Sequence, residues 1–293
     1  MKPYAFSYVR PQSIADACAL LAEHGDMAAV LAGGQSLVPL LNLRLTSPAL
    51  VVDINRLAGL QDIAVRDTHL EIGALCRHDT VLRSPLVNQH APILAAALRH
   101  VAHPAIRNRG TFGGSVALAD PAAELPACCV ALEAEIVLAS ATGTRTVAAT
   151  EFFLGVFATA RRSDELVVAI RFPLDGAGDR FVFDEIARRH GDYAIVGLAA
   201  VAPADRTSGT AARFVFFGLG DAPRLASQVG ALATAAPDGA IACGDLDGAL
   251  DADLADMDFS SADMAFKRTL AGTLAWRAMR RLPQSDGAAG SKP

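Results

Sequence analysis

Ala28-Ala29-Val30-Leu31-Ala32-Gly33-Gly34-Gln35-Ser36-Leu37 reads as a short buried strand, a glycine turn and the start of a helix. Glycine has no Cβ, so the pair at 33–34 lets backbone N–H groups gather in one concavity and approach an anion closely. The helix that follows, expected over Leu37–Arg44, adds the positive end of its dipole. Upstream, Ser13 is placed to cap a helix carrying Ile14, Ala17, Cys18 and Leu21 on one face, which Gly25 stops. Downstream, Leu50-Val51-Val52-Asp53-Ile54 is a second buried strand. Strand, helix, strand in this order predicts a small parallel βαβ-type unit.

A segment of matching composition follows at Thr111-Phe112-Gly113-Gly114-Ser115. Ser36 and Ser115 each add a hydroxyl donor. Taken singly, each glycine pair is explained by a tight turn; taken together, they suit a diphosphate gripped from two sides. Neither is followed by the Lys of a P-loop, and neither fits the Gly-x-Gly-x-x-Gly dinucleotide spacing. Beyond the second segment lies Ala119-Asp120-Pro121-Ala122-Ala123-Glu124-Leu125-Pro126. Asp120 suits an N-cap and Pro121 the first turn of a buried helix over Ala122–Leu132. The alternative puts Asp120 or Glu124 on ribose or ribityl hydroxyls, as carboxylates beside dinucleotide sites often are.

Between the two segments, alternation through Ile63, Val65, Leu70 and Ile72 about a turn at Arg66-Asp67-Thr68 predicts a hairpin. Pro92 opens a helix through Val101, and Glu135–Ala139 reads as a strand. Turn formers at 173–178 mark a boundary. Past it, Phe181-Val182-Phe183, Ala194–Ala202 and Arg213–Gly218 predict three antiparallel strands, followed by helices at Leu225–Thr234 and Ala262–Arg281. The expected organisation is a domain over 1–176, a second over 177–283 and a fraying tail over 284–293.

Hydrophobic residues make up 52% and charged residues 19% of the chain, which excludes a disordered protein. A net charge of −5 without a basic stripe argues against nucleic acid or anionic membrane as the main partner. The first residues carry no signal-peptide pattern, and the longest apolar runs are too short for a membrane span. The five cysteines are scattered, without a disulfide framework or a Cys-x-x-Cys. A cytoplasmic protein is expected. Cys128-Cys129 reads as core packing. His100 and His103 lack further metal ligands at suitable spacing and read as helix-surface residues. Arg188-Arg189-His190-Gly191-Asp192-Tyr193 is a hairpin with a charge cluster; as a site, Tyr193 would flank a planar ring and an arginine would meet phosphate.

In this order, Ala32–Leu37, Ile106–Ser115, Ala119–Pro126 and Gly191-Asp192-Tyr193-Ala194 resemble the FAD-binding medium subunit of molybdenum hydroxylases, the group of carbon monoxide and xanthine dehydrogenases. The likeness runs from Tyr8-Val9-Arg10-Pro11 to Trp276-Arg277. It implies an α+β architecture: an FAD domain of the vanillyl-alcohol-oxidase (PCMH) type made of two α/β subdomains, then a smaller α+β domain with a three-stranded antiparallel sheet and helices. It implies FAD held by Ala32, Gly33, Gly34, Gln35, Ser36 and Leu37 of the first segment and by Thr111, Gly113, Gly114 and Ser115 of the second. Asp120 and Glu124 would lie along the cofactor, backbone at Leu166 would border it, and Tyr193 would stand near the isoalloxazine.

The implied partners are a large subunit with the molybdenum cofactor and a small subunit with two [2Fe–2S] clusters, joined as a dimer of heterotrimers. Electrons would pass from the clusters through FAD to an external acceptor. Three positions depart from the family pattern. Phe112 stands where Ile is common, Leu118 where His is frequent, and Glu185 where several relatives have Lys; Arg188 or Arg189 is the candidate replacement for that lost cation. Two other functions share the same motifs: a free-standing FAD oxidase or reductase, and a non-catalytic nucleotide-binding protein.

Overall fold

A computed structural model describes residues 2–174, 179–204, 209–236 and 241–284. The first unit contains β1 (Ser7–Val9), α1 (Ile14–His24), β2 (Ala28–Leu31), α2 (Leu37–Asn42) and β3 (Leu50–Asp53). Its sheet is parallel in the order β1-β3-β2, so the expected βαβ unit is present with one extra edge strand. Ser13 caps α1 through a full capping box, its hydroxyl accepting from the amide of Asp16 while the Asp16 carboxylate accepts from the Ser13 amide. Ala17, Cys18 and Leu21 then face Val52, Ile54 and Leu57 in the core.

The second unit runs through β4 (Ile63–Arg66), β5 (His69–Gly73), α3 (His78–Arg83), α4 (Pro85–His90), α5 (Pro92–Leu98), α6 (Pro104–Arg107), α7 (Phe112–Leu118), α8 (Glu124–Ala131), β6 (Glu135–Ser140), β7 (Gly143–Ala148), α9 (Ala149–Phe152), β8 (Phe153–Gly155), β9 (Ala158–Thr159) and β10 (Leu166–Pro173). Its main sheet is antiparallel in the order β4-β5-β10-β6-β7. The expected hairpin is β4–β5, with Asp67 at φ 51° in its turn. Strand β10 lies at the centre of the sheet although nothing in the sequence reading marked it.

Several helix boundaries differ from expectation, beginning with α2, which ends at Asn42 rather than Arg44. The helix opened by Pro92 ends at Leu98, three residues before Val101. The buried helix starts at Glu124 with Ala123 as its cap, so Asp120 is not an N-cap. Asp120 instead turns the chain earlier, its Oδ1 accepting from the amide of Ala122 at 2.9 Å just after Ala119 takes a left-handed conformation.

The third unit holds β11 (Arg180–Ala187), β12 (Ala194–Ala202), β13 (Arg213–Phe217), β14 (Arg224–Leu225), α10 (Ser227–Ala235), α11 (Cys243–Asp253) and α12 (Ala262–Arg281). The three expected strands pair antiparallel, and β14 adds a short fourth. Leu225, expected to begin a helix, belongs to that strand. Alternate residues of the sheet serve opposite layers: Phe183, Val215 and Phe217 pack with Leu94, Leu98 and Leu125 of the second unit, whereas Val182, Phe214 and Phe216 pack with Leu250, Leu274 and Met279 on the helical side. Burial of both faces explains why Ala194–Ala202 is apolar almost without interruption. The domain boundary at 176 and all of the expected tail except Gln284 lie outside the described residues; Gln284 closes a short 3₁₀ turn after α12.

Candidate functional site

The first glycine segment connects β2 to α2 and is fixed from below. Asn55 Nδ2 donates to the carbonyl of Ala32 at 2.7 Å and to Asp53 Oδ1 at 2.7 Å. Arg77 donates to Asn55 Oδ1 at 2.8 Å and, through its other terminal nitrogen, to the carbonyl of Arg109. A short polar chain therefore ties the first segment to the turn that leads into the second. Asp53 anchors it. Burial works against its charge, but hydrogen bonds from Tyr8, Asn55 and Arg10 outweigh that and hold its pKa below the ordinary carboxylate value.

The two segments touch. A Cβ on Gly33 would lie 2.5 Å from the carbonyl oxygen of Arg109 and 2.8 Å from Cα of Gly110. Gly113 is as tightly set, since a Cβ there would lie 2.5 Å from Cβ of Ala74. These glycines serve close backbone packing.

Their hydrogen bonding differs. Among the described residues, the amides of Gly33, Gly34, Gln35 and Ser36 have no acceptor, whereas Val38 and Leu40 bond back to Gly34 and Ser36 within the start of α2. Unpaired backbone donors at a helix start are what an anion requires. In the second segment, Phe112 donates to Cys76, Gly113 to Ala74, Ser115 to the Thr111 carbonyl and Gly114 to Thr111 Oγ1. The sequence predicts a glycine turn here, either a plain tight turn or one side of a grip on a diphosphate. The segment is the capped first turn of α7, and its amides are already used.

A cavity of about 570 Å³ opens between the units, within the size range of sites that hold cofactors. Every residue of both segments that the resemblance assigns to FAD lines it, as do Asp120, Glu124, Leu166 and Tyr193, whereas Phe112 is buried in the core. Tyr193 is 71% exposed at its mouth, just before β12. Leu166 is held through its neighbour Glu165, whose carboxylate accepts from Arg145 Nε and Nη2 at 2.6 and 2.8 Å and from the amide of Arg162 at 2.7 Å. Those bonds, Arg145 foremost, lower the pKa of Glu165.

Other groups in or near the wall carried no sequence signal. His78 Nε2 lies 2.9 Å from the Thr111 carbonyl, which can only accept, so Nε2 carries the hydrogen. Burial pushes its pKa down to about 4. Arg161 also lines the cavity. Glu124 is buried, and desolvation first, then Glu185, pushes its pKa up to about 8. Glu185 neither lines the cavity nor meets Arg188 or Arg189, both exposed; it pairs with His100, whose Nδ1 is 3.2 Å away. His100 is therefore a half-buried partner of a carboxylate, its pKa raised chiefly by that contact. His103 is exposed, as expected.

Unpaired amides, a cavity of cofactor size and glycines at 33 and 113 too crowded for a side chain define a site suited to an anionic cofactor. The comparisons with known proteins narrow the class. Residues 4–175 match the FAD binding domain in molybdopterin dehydrogenase, and residues 181–282 match the CO dehydrogenase flavoprotein C-terminal domain. The chain belongs to the family of FAD-binding medium subunits of molybdenum hydroxylases, and is an oxidoreductase flavoprotein subunit.

It is 47% identical over 205 residues to the 6-hydroxypseudooxynicotine dehydrogenase complex subunit alpha of Paenarthrobacter nicotinovorans, covering 70% of this chain and 69% of that one. It is 42% identical to the caffeine dehydrogenase subunit beta of Pseudomonas sp. (strain CBB1), covering 76% of each. Among solved structures, a chain of carbon monoxide dehydrogenase from Hydrogenophaga pseudoflava superposes with a TM-score of 0.88 at 33% identity, over 99% of this chain and 100% of that one. Among the described residues, no helix is long and apolar enough to cross a membrane.

Proposed function

We propose that this chain relays electrons through FAD within a complex, from the [2Fe–2S] clusters of a small subunit to an external acceptor, while a large subunit with the molybdenum cofactor oxidises the substrate. The observation that carries the reading is the first segment, where four consecutive backbone amides from Gly33 to Ser36 lack acceptors among the described residues, beside a cavity of cofactor size. Those amides would hold the FAD diphosphate. The second segment would contribute a close-packed floor and the Ser115 hydroxyl. Asp120 and Glu124 would lie along the ribityl chain, Leu166 would border the cofactor, and Tyr193 would cover the flavin ring from the second domain, with the boundary at residue 176. The bound flavin supplies two-electron redox chemistry; the protein orients it and shields it from water.

We further propose a cytoplasmic complex built as a dimer of heterotrimers. The test is to co-express the chain with subunits of those two kinds, purify the complex and identify the released cofactor by mass. Rapid mixing with an oxidisable substrate should bleach the flavin bands before the external acceptor is reduced. Acceptor reduction with the flavin bands unchanged would overturn the relay.

A further inference from the structure

The wall of the cavity contains a carboxylate that has its own backbone amide as a donor but no cation beside it among the described residues. Glu124, the first residue of α8, lines the cavity and is 9% exposed. Glu185 on β11 has 3% of its side chain exposed; one oxygen accepts from His100, and the other is buried without a hydrogen-bond partner among the described residues. No Lys or Arg pairs with either carboxylate among the described residues.

The other ionisable groups nearby do not change the balance. Asp120 acts on Glu124 from the preceding turn, and Asp184 acts on His100 from β11. The ring of His190 is 6.0 Å from that of His100, Cys128 lies one turn along α8, and Tyr193 faces Asp120 and Glu124 from the start of β12. On β13, Arg213 is committed to the far end of α8, at the Ala131 carbonyl and Glu133.

Two buried carboxylates thus stand near one imidazole, which is bonded to Glu185 and acts on Glu124 only through its charge. A protonated imidazole neutralises one of them. Keeping the second ionised out of water without a cation is unfavourable, and binding a proton relieves that. Because His100 is bonded to Glu185, the proton falls to Glu124.

We propose that Glu124 stands in the FAD cavity as a neutral carboxylic acid, kept so by the Glu185–His100 pair, and donates a hydrogen bond from its carboxyl O–H to the cofactor. Glu185 and His100 are positioning residues, since neither lines the cavity. The proposal rests on FAD occupying the cavity and adds the protonation state through which one wall residue meets it. The rise of the Glu124 pKa to about 8 agrees with it and sets the range to probe. Above that pH the donor becomes a second negative charge facing an anionic dinucleotide.

The experiment is FAD affinity of the whole apoprotein, read by quenching of FAD fluorescence between pH 6 and 9.5. If only the protonated form binds well, the wild-type Kd is flat at low pH, then rises towards tenfold per pH unit. Glu124→Gln should remove the rise and bind more tightly than wild type at pH 9.5. Glu185→Gln should move the rise to lower pH, because the charge that disfavours ionisation of Glu124 is gone. A structural role alone would not displace that break. Identical pH profiles for wild type and Glu124→Gln would overturn the proposal. Should Glu124→Gln fail to fold, an unmoved break in Glu185→Gln would overturn it equally. Wild type failing to bind FAD even at pH 6 would instead remove the cofactor from the cavity, and the proposal with it.

Discussion

Gly33→Ala tests whether contact between the two glycine segments builds the site. The added methyl would sit 2.5 Å from the Arg109 carbonyl oxygen and 2.8 Å from Cα of Gly110, against an ordinary limit of 3.4 Å. The segments must therefore part by about 0.9 Å, the difference between 3.4 and 2.5 Å. Both obstacles are backbone. Neither side yields easily, because Asn55 holds the Ala32 carbonyl and Arg77 holds that of Arg109. Overpacking of this kind costs about 1–3 kcal/mol. Taken from the binding geometry, that is about a 5- to 150-fold loss of FAD affinity. Calorimetric titration of apoprotein with FAD measures it, with Gly244→Ala as control, where a Cβ meets nothing within 4 Å. Wild-type affinity in Gly33→Ala would refute the reasoning, since the segments could then part without moving the site.

Glu165→Gln removes the carboxylate that accepts from Arg145 and from the Arg162 amide; we expect a loss of about 2–3 kcal/mol in urea unfolding. His78 is held neutral in the fold, its pKa lowered from 6.5 to about 4. The stability this contributes is fully present above pH 6.5 and is lost as pH falls through 4, so wild type should lose about 2–3 kcal/mol more than His78→Gln across that window. Urea midpoints at pH 7 and pH 4 measure the difference. Tyr193→Ala should leave apoprotein stability within about 0.5 kcal/mol, because the side chain is 71% exposed. FAD bound to that variant should be less quenched in fluorescence, and unchanged quenching would separate Tyr193 from the flavin.

Where an element's signal lies within its own residues, the sequence revealed it. The Ser13 cap, the alternation across Ile63–Ile72 and the run Ala194–Ala202 are local patterns, and each corresponds to an observed element. The elements that went unread draw their stability from distant contacts. Strand β1 is three residues long with Tyr8 exposed, and it exists because it pairs with β3. Helices α3, α4 and α6 have four to six residues, too few for a 3.6-residue period to emerge. Helix α7 begins with a glycine pair, which intrinsic propensity disfavours, and its first amides are satisfied by Ala74 and Cys76 on the chain after β5.

The same distinction applies within the site. The segments 33–36 and 111–115 have similar composition, and composition alone assigns them the same role. They differ in what lies opposite. The carbonyls of Ala74 and Cys76 reach the second segment and use its donors, whereas the Arg109 carbonyl that packs against Gly33 accepts no hydrogen bond from the amides of the first among the described residues. Donor availability is thus a property of the tertiary neighbour, and a glycine pair marks only where backbone can approach backbone. Glu124 follows the same logic. Its sequence neighbours suggest a carboxylate that meets hydroxyls, but its pKa is raised first by burial and then by Glu185, 61 positions along the chain, while His100, 24 positions back, opposes the rise, counted from the numbering. A Lys at position 185 would supply the cation that Glu124 lacks and ionise it. Glu185→Lys should therefore lower the pH at which FAD affinity falls by more than Glu185→Gln does, and an equal shift in the two variants would show that the charge at 185 does not reach Glu124.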